Sequence, residues 1–306
     1  MAGIKDQAFG MELEFTGITR SAAAAAIAKT INGNYRYTRE PGYDRRVITG
    51  ADGRKWSICS DASVTGSEDG DGGEFVTPIC TYDDIEKVQE CVRALRKAGA
   101  KVDSSCGLHI HIDGANHTAL SLKNLVFTFR AKEDLIFKAV GTQQSRLRRW
   151  CRPIDDTLVD NIKRIRQLDI ASMRQTWYGT YYDSRRRQSE HYHGSRYHAL
   201  NLHSLFYRGT VEFRLFEATL HAGEVRAYIN LCLAMSAAAI NAKRTSEKPL
   251  DNGNPKYAMR CWLLRLGFIG KEWETVRKHL LKNLEGNAAW RNDPTTYESY
   301  NNRRTA

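Results

Sequence analysis

Long apolar runs are missing from this chain of 306 residues, and the longest candidate, residues 231–240, falls far short of the roughly 20 needed to span a bilayer. Residues 1–7 carry no apolar core of a secretory leader, so a cytoplasmic protein is expected. No CxxC pair or regular spacing occurs among the seven cysteines, and reduced, mostly buried thiols are expected. Cys59 and Cys106 lie near charged positions, which leaves a nucleophilic role as the alternative for either. No internal repeat is present, and 42% hydrophobic content excludes disorder of the whole; one large domain, or one domain with an appendage, is expected. Acidic charge is scarce, with 35 Asp and Glu against 46 Lys and Arg. The net charge of +11 suggests an anionic partner, which a nucleic acid, a nucleotide or an acidic protein would each satisfy. Part of the excess lies in Arg146-Leu-Arg-Arg-Trp-Cys-Arg152 and Arg185-Arg-Arg187, each either a solvated face or a phosphate contact.

Periodicity orders the rest. Residues 8–16 alternate as a half-buried strand, followed by an alanine-rich helix that Ser21 can cap. Residues 35–61 read as short strands with turns at Pro41-Gly42 and Asp52-Gly53. The loop Gly66-Ser-Glu-Asp-Gly-Asp-Gly-Gly73 lacks the spaced glutamate of a calcium loop and reads as a flexible turn. Pro78 argues for an edge or terminal position of the strand before it. Helices are expected over 83–98, with Gly99 as stop, and over 121–140, 156–167, 223–243, 257–266 and 271–284. Residues 101–113 read as strand, 146–153 as loop, and 178–193 as an ordered active-site loop or mobile lid. A hairpin through Arg208-Gly209 would join strands 196–207 and 210–218. The polar tail 287–306 is expected to be poorly ordered.

Against this background, four strand-like segments place chemically active side chains two residues apart: Glu12 and Glu14, His109 and His111, Asn201 and His203, Glu212 and Arg214. On a strand each pair shares one face, while Met11, Leu13, Phe15, Leu108, Ile110, Ile112, Val211, Phe213 and Leu215 take the other. The carboxylates of Glu12 and Glu14 would repel each other unless cations lie between them. Glu12, Glu14, Glu74 and Glu212 supply oxygen and His109 nitrogen, which suits Mg2+ or Mn2+. Arg214 adds a phosphate-binding guanidinium to the same face as Glu212. Asn201 and His203 read equally well as ordinary cross-strand neighbours.

Six motifs occur in one order: Phe9-Gly-Met-Glu-Leu-Glu-Phe15, Trp56-Ser-Ile-Cys-Ser-Asp61, Gly73-Glu-Phe-Val-Thr-Pro78, Cys106-Gly-Leu-His-Ile-His-Ile112, Arg196-Tyr-His-Ala-Leu-Asn-Leu202 and Thr210-Val-Glu-Phe-Arg-Leu-Phe216. In this order they resemble the amidoligase family, carboxylate-amine ligases of the glutamine synthetase and glutamate-cysteine ligase superfamily, over roughly residues 8–240. The resemblance implies an α+β fold in which an antiparallel sheet curves into a half-funnel, with helices on its outer face and ATP and metals inside. It implies a catalytic domain over 1–245 and leaves 246–306 as a helical extension with a polar tail. By resemblance Glu12, Glu14, Glu74, His109 and Glu212 hold metal, and Asp61 lies beside the amine site. By the same resemblance Arg214 would hold the transferred phosphate, Arg196 would be a second phosphate or carboxylate clamp, Asn201 would orient nucleotide or substrate, and His111 would take a supporting or substrate role.

The implied reaction transfers the γ-phosphoryl group of ATP to a carboxylate, and an amine then displaces phosphate from the acyl phosphate to give an amide. Asp61 or Glu74 would accept the amine proton, and Glu14→Ala or Arg214→Ala would abolish ADP release with the fold intact. The substrates implied are a carboxylate-bearing small molecule, peptide or protein and an amine donor. Two rivals stay open. A zinc hydrolase would use His109, His111 and Asp61 or Glu74 without nucleotide. A nucleic-acid binder would use the basic runs with Trp150, Trp177, Tyr178, Tyr181 and Tyr182 as stacking groups, although aligned glutamates oppose a phosphate backbone.

Overall fold

A computed structural model of the protein describes residues 1–38, 42–64, 66, 71–249 and 253–291. The strands are β1 (Phe9–Thr19), β2 (Asn34–Thr38), β3 (Arg45–Thr49), β4 (Lys55–Cys59), β5 (Asp71–Val76), β6 (Gly107–Asp113), β7 (Leu200–Asn201) and β8 (Thr210–Glu217). They form one sheet in the order β2-β3-β4-β5-β1-β6-β8-β7, every neighbouring pair antiparallel. The helices are α1 (Arg20–Thr30), α2 (Ile85–Lys97), α3 (Ala119–Val140), α4 (Gln144–Arg149), α5 (Asp156–Lys163), α6 (Ile170–Thr180), α7 (His203–Arg208), α8 (Ala222–Asn241), α9 (Pro255–Arg265) and α10 (Glu274–Leu281). The fold is therefore α+β.

The expected apolar face is real: Met11, Leu13, Phe15, Leu108, Ile110, Ile112, Val211, Phe213 and Leu215 are all buried. Helices α1, α3 and α8 lie against the sheet, and α2, α3 and α10 pack on α8. Trp56 and Phe75, from neighbouring strands, stack with centroids 5.8 Å apart. All seven cysteines are free, and six are buried. Among the described residues no helix is long and apolar enough to cross a membrane.

Several expectations are corrected. Thr19, not Ser21, caps α1, its Oγ1 accepting the Ala22 N–H at 3.1 Å. Pro78 marks the end of β5, but that strand is central, between β4 and β1, because the proline falls past its last ladder residue. Only Gly107–Asp113 of the expected 101–113 strand joins the sheet; Lys101 forms a lone bridge with Thr16. The expected loop 146–153 begins inside α4, and the expected helix 156–167 ends at Lys163. Helix α6 was not foreseen, and it takes Tyr178 out of the expected loop. No hairpin joins β7 to β8: α7 intervenes, with Gly209 as its left-handed stop at φ 84°. The turn at Pro41, residues 67–70 of the loop 66–73 and the tail beyond residue 291 lie outside the described residues, and Asp71–Gly73 of that loop belong to β5.

One buried acid behind the sheet makes a prediction. Glu133 on α3 accepts the Ile154 N–H at 2.9 Å and pairs with Arg130 at 3.2 Å, and burial pushes its carboxyl up to about 8. A folded-state pKa above the unfolded value favours folding at low pH, a contribution lost as pH rises through the folded value. Glu133→Gln keeps the acceptor, so it should stabilise by about 1–2 kcal/mol near pH 9 and by little near pH 5 in urea melts. Equal effects at both pH values would refute this.

Candidate active site

Antiparallel register brings the distant motifs together. Glu12 pairs with His109, Glu14 with Glu74, His111 with Glu212, Asn201 with Glu212, and Cys59 with Glu74. Between β6 and β8, Leu108 faces Phe216 but Ile110 faces Phe213, so β8 carries one extra residue. This bulge lets Phe213 and Phe216, three apart, both stay in the core, while the Arg214 N–H donates to Ala199 O at 2.8 Å in continuation of the β7 pairing.

The opposite face gathers acids, imidazoles and guanidinium. His109 Nδ1 lies 3.3 Å from Glu12 Oε2, and His111 Nε2 lies 3.5 Å from Glu12 Oε1. Arg214 Nη1 donates to Glu212 Oε1 at 2.5 Å and Asn201 Nδ2 to Glu212 Oε2 at 2.6 Å. The Gly107 N–H donates to Glu14 Oε2 at 2.5 Å. Three groups offer one ligand atom per residue within 4.8 Å of each other: Glu14, Asp61 and Glu74; Glu12, Glu74 and His109; Glu12, His111 and Glu212. Glu74 and Glu12 are shared, so the groups form a continuous row.

Charge is unevenly compensated along that row. Burial and the Asp61 charge push Glu14 up to about 7, and burial with Glu12 and Glu14 holds Glu74 well above the carboxylate range. At the other end, burial is outweighed: His111 and His109 hold Glu12 low, and Arg214 and His111 bring Glu212 down to about 2. Burial and Arg214 push His109 down to about 4, whereas Glu12 and Glu212 overcome burial to raise His111. Among the described residues His111 Nε2 and Arg214 Nε are buried with no hydrogen bond, the closest ion-pair contact of His111 Nε2 being Glu12 at 3.5 Å. The His111 nitrogen beside crowded carboxylates fits an oxygen-seeking divalent cation with an imidazole in its shell, and the Arg214 N–H fits an anion such as phosphate.

All the expected site residues border this row. Asp61 follows β4, and its Oδ1 accepts the Ser63 N–H at 2.7 Å. Arg196 shares a small cavity with Glu12, His111, Asn201 and Glu212, its guanidinium 5.2 Å from the Tyr192 ring. His203, expected on a strand beside Asn201, instead begins α7, because Asn201 Oδ1 accepts the His203 N–H at 2.8 Å and turns the chain. Trp177 and Tyr178, expected as base-stacking groups, are buried in α6 and unavailable for stacking.

Other neighbours were missed. Arg146 is 3% exposed and lies over Gly107, where a Cβ would stand 2.4 Å from its Nη2. A glycine within a strand signals such close approach, so Gly107 was the available clue. Arg208 Nη1 lies 3.8 Å from Glu12 Oε1, and Cys59 Sγ 3.6 Å from Glu74 Oε2. Burial and the Glu74 charge push the Cys59 thiol far up, which removes it as a nucleophile. Beside Glu12, His111 and Arg208 opens a cleft of about 300 Å3 with an apolar wall of Met11, Val76, Pro78 and Ile79.

A model of the family described as "Putative amidoligase enzyme" matches residues 5–236. No curated protein matches the chain. Among solved structures it is similar to a bifunctional glutathione synthetase from Pasteurella multocida, at 11% identity and a TM-score of 0.42, over 92% of this chain and 47% of that one. The chain thus spans about half the length of that protein.

Proposed function

The chain belongs to the amidoligase family, and from that premise we propose that it is an ATP-dependent carboxylate-amine ligase working through an acyl phosphate. The row of three overlapping clusters on one sheet face is the observation that carries this reading. Glu12, Glu14, Glu74, His109 and Glu212 would hold Mg2+ or Mn2+, with Asp61 and His111 at the two ends of the row. When bound, the cations supply positive charge that neutralises the triphosphate and the developing transition-state charge. We read the sheet as the wall of a half-funnel, residues 1–245 as the catalytic unit and 246–306 as an extension, in a cytoplasmic protein.

The chain's own groups then divide the work. Arg214 and Arg196 hold phosphate oxygens, Arg214 kept in line by its bond to Glu212. Asn201 orients the same glutamate. Glu74, shared by two of the three clusters, serves as a cation ligand. The role of proton acceptor for the attacking amine therefore goes to the partly exposed Asp61. The acceptor is a carboxylate-bearing small molecule, peptide or protein, with a separate amine donor. The basic groups Arg196 and Arg208 on the cavity wall favour an anionic acceptor.

The zinc hydrolase reading has weaker support, since His109 and His111 fall in different clusters rather than on one shared ion. Hydroxylamine trapping separates the two readings. The ligase predicts hydroxamate and ADP formation that need ATP, Mg2+ and a carboxylate together, whereas amide cleavage without nucleotide would overturn it.

A further inference from the structure

We propose a second, transition-metal site formed by His221, Glu224 and His279, clear of the glutamate row and joining the start of α8 to α10. One ligand atom from each of the three lies within 4.8 Å of the others. His221 and Glu224 stand three apart at the start of α8, while His279 comes from α10, more than fifty residues later. The two imidazoles meet edge to face with centroids 4.9 Å apart.

Gly223 keeps this space open: a Cβ there would stand 2.6 Å from His279 Nε2 and 3.3 Å from His221 Nδ1. Those two nitrogens therefore flank one point. His221 Nδ1 now accepts the Glu224 N–H at 3.3 Å, but that N–H also reaches His221 O at 2.9 Å, so the imidazole lone pair can be given up. The Glu224 carboxylate already attracts a cation, since Lys282 Nζ binds its Oε1. Two imidazoles and one carboxylate suit Zn2+, Co2+ or Ni2+ and not Mg2+, which prefers oxygen. The positive end of the α8 dipole opposes any cation here, so affinity rests on the imidazole pair.

The ion would tie together parts of the chain on either side of residue 245. The test is Co2+ titration of the chelator-stripped full chain, comparing the parent with His279→Gln and His109→Gln by visible absorption and bound metal per chain. The parent should bind one more equivalent than His279→Gln, and His109→Gln should keep that equivalent. Lys282→Ala should tighten it by about 3- to 10-fold by removing the competing ammonium. His279 is partly exposed, so His279→Gln should melt like the parent in chelator, and Co2+ should raise the melting temperature of the parent more. Equal stoichiometry in parent and His279→Gln, or no binding attributable to His221 and His279, overturns the proposal.

Discussion

Replacing Glu14 by glutamine is expected to stop ADP release from ATP and, in the same protein, to raise the melting temperature in chelator. The two effects share a cause. Glu14 is 4% exposed, and burial together with Asp61 pushes its carboxyl up to about 7, so an ionised Glu14 opposes folding while no cation is bound. Glutamine keeps an acceptor for the Gly107 N–H and removes the charge. Because the folded pKa lies above the unfolded one, the advantage grows as pH rises through about 7 and is small near pH 5. Near pH 8.5 the gain should be about 1–3 kcal/mol. With saturating Mg2+ the order should reverse, since the parent gains more from cation binding. Turnover should fall by about 10³-fold or more, as a misplaced cation weakens phosphate neutralisation throughout the transition state. A Glu14→Gln protein that kept a tenth of parental turnover would sink the assignment.

Arg214→Ala should be equally inactive but unstable. The guanidinium is 5% exposed and bonds Glu212 at 2.5 Å, and Glu12 and Glu14 also favour its charged form. Its removal leaves Glu212 in a low-dielectric site with the Asn201 hydrogen bond but without its guanidinium counter-charge, for which the expected cost is about 3–5 kcal/mol in chelator. The sequence alone implied an intact fold for this variant, and the buried pair revises that. Mg2+ should recover part of the loss by supplying substitute charge. Arg214→Lys should recover stability more than activity, because an ammonium cannot form the fork that holds two phosphate oxygens. Thermal melts with and without Mg2+, paired with ADP release, separate the contributions. Full stability of Arg214→Ala in chelator would show that Asn201 and the two histidines suffice to hold Glu212, and would refute the buried ion pair as a source of stability.

The charged face of the sheet was legible because it rests on strand periodicity, which is local. Alternation in Phe9–Thr19, Gly107–Asp113 and Thr210–Glu217 named both the buried and the charged sides of β1, β6 and β8. What escaped depends on tertiary contacts. Arg208-Gly209 fits a hairpin turn as well as a helix stop, and only the Asn201 side chain, capturing the His203 N–H, decides for α7. Arg146 belongs to a charge run that looks solvated until Gly107 gives its guanidinium a flat surface. Helix α6 buries Met173, Trp177 and Tyr178, too few and too mixed with polar residues to show a period.

The first strand of the sheet in chain order, β1, lies in its interior, flanked by β5 and β6. The Glu212 that completes the row is not synthesised until about two hundred residues after Glu12. A nascent chain therefore holds Glu12 and Glu14 without their partners His109 and Gly107 for about a hundred residues, and without Glu212 for longer still. Long-range pairings of this kind close slowly. A product terminated before β8 would lack Glu212 and Arg214 and would leave β6 as an open hydrogen-bonding edge, a form prone to aggregate.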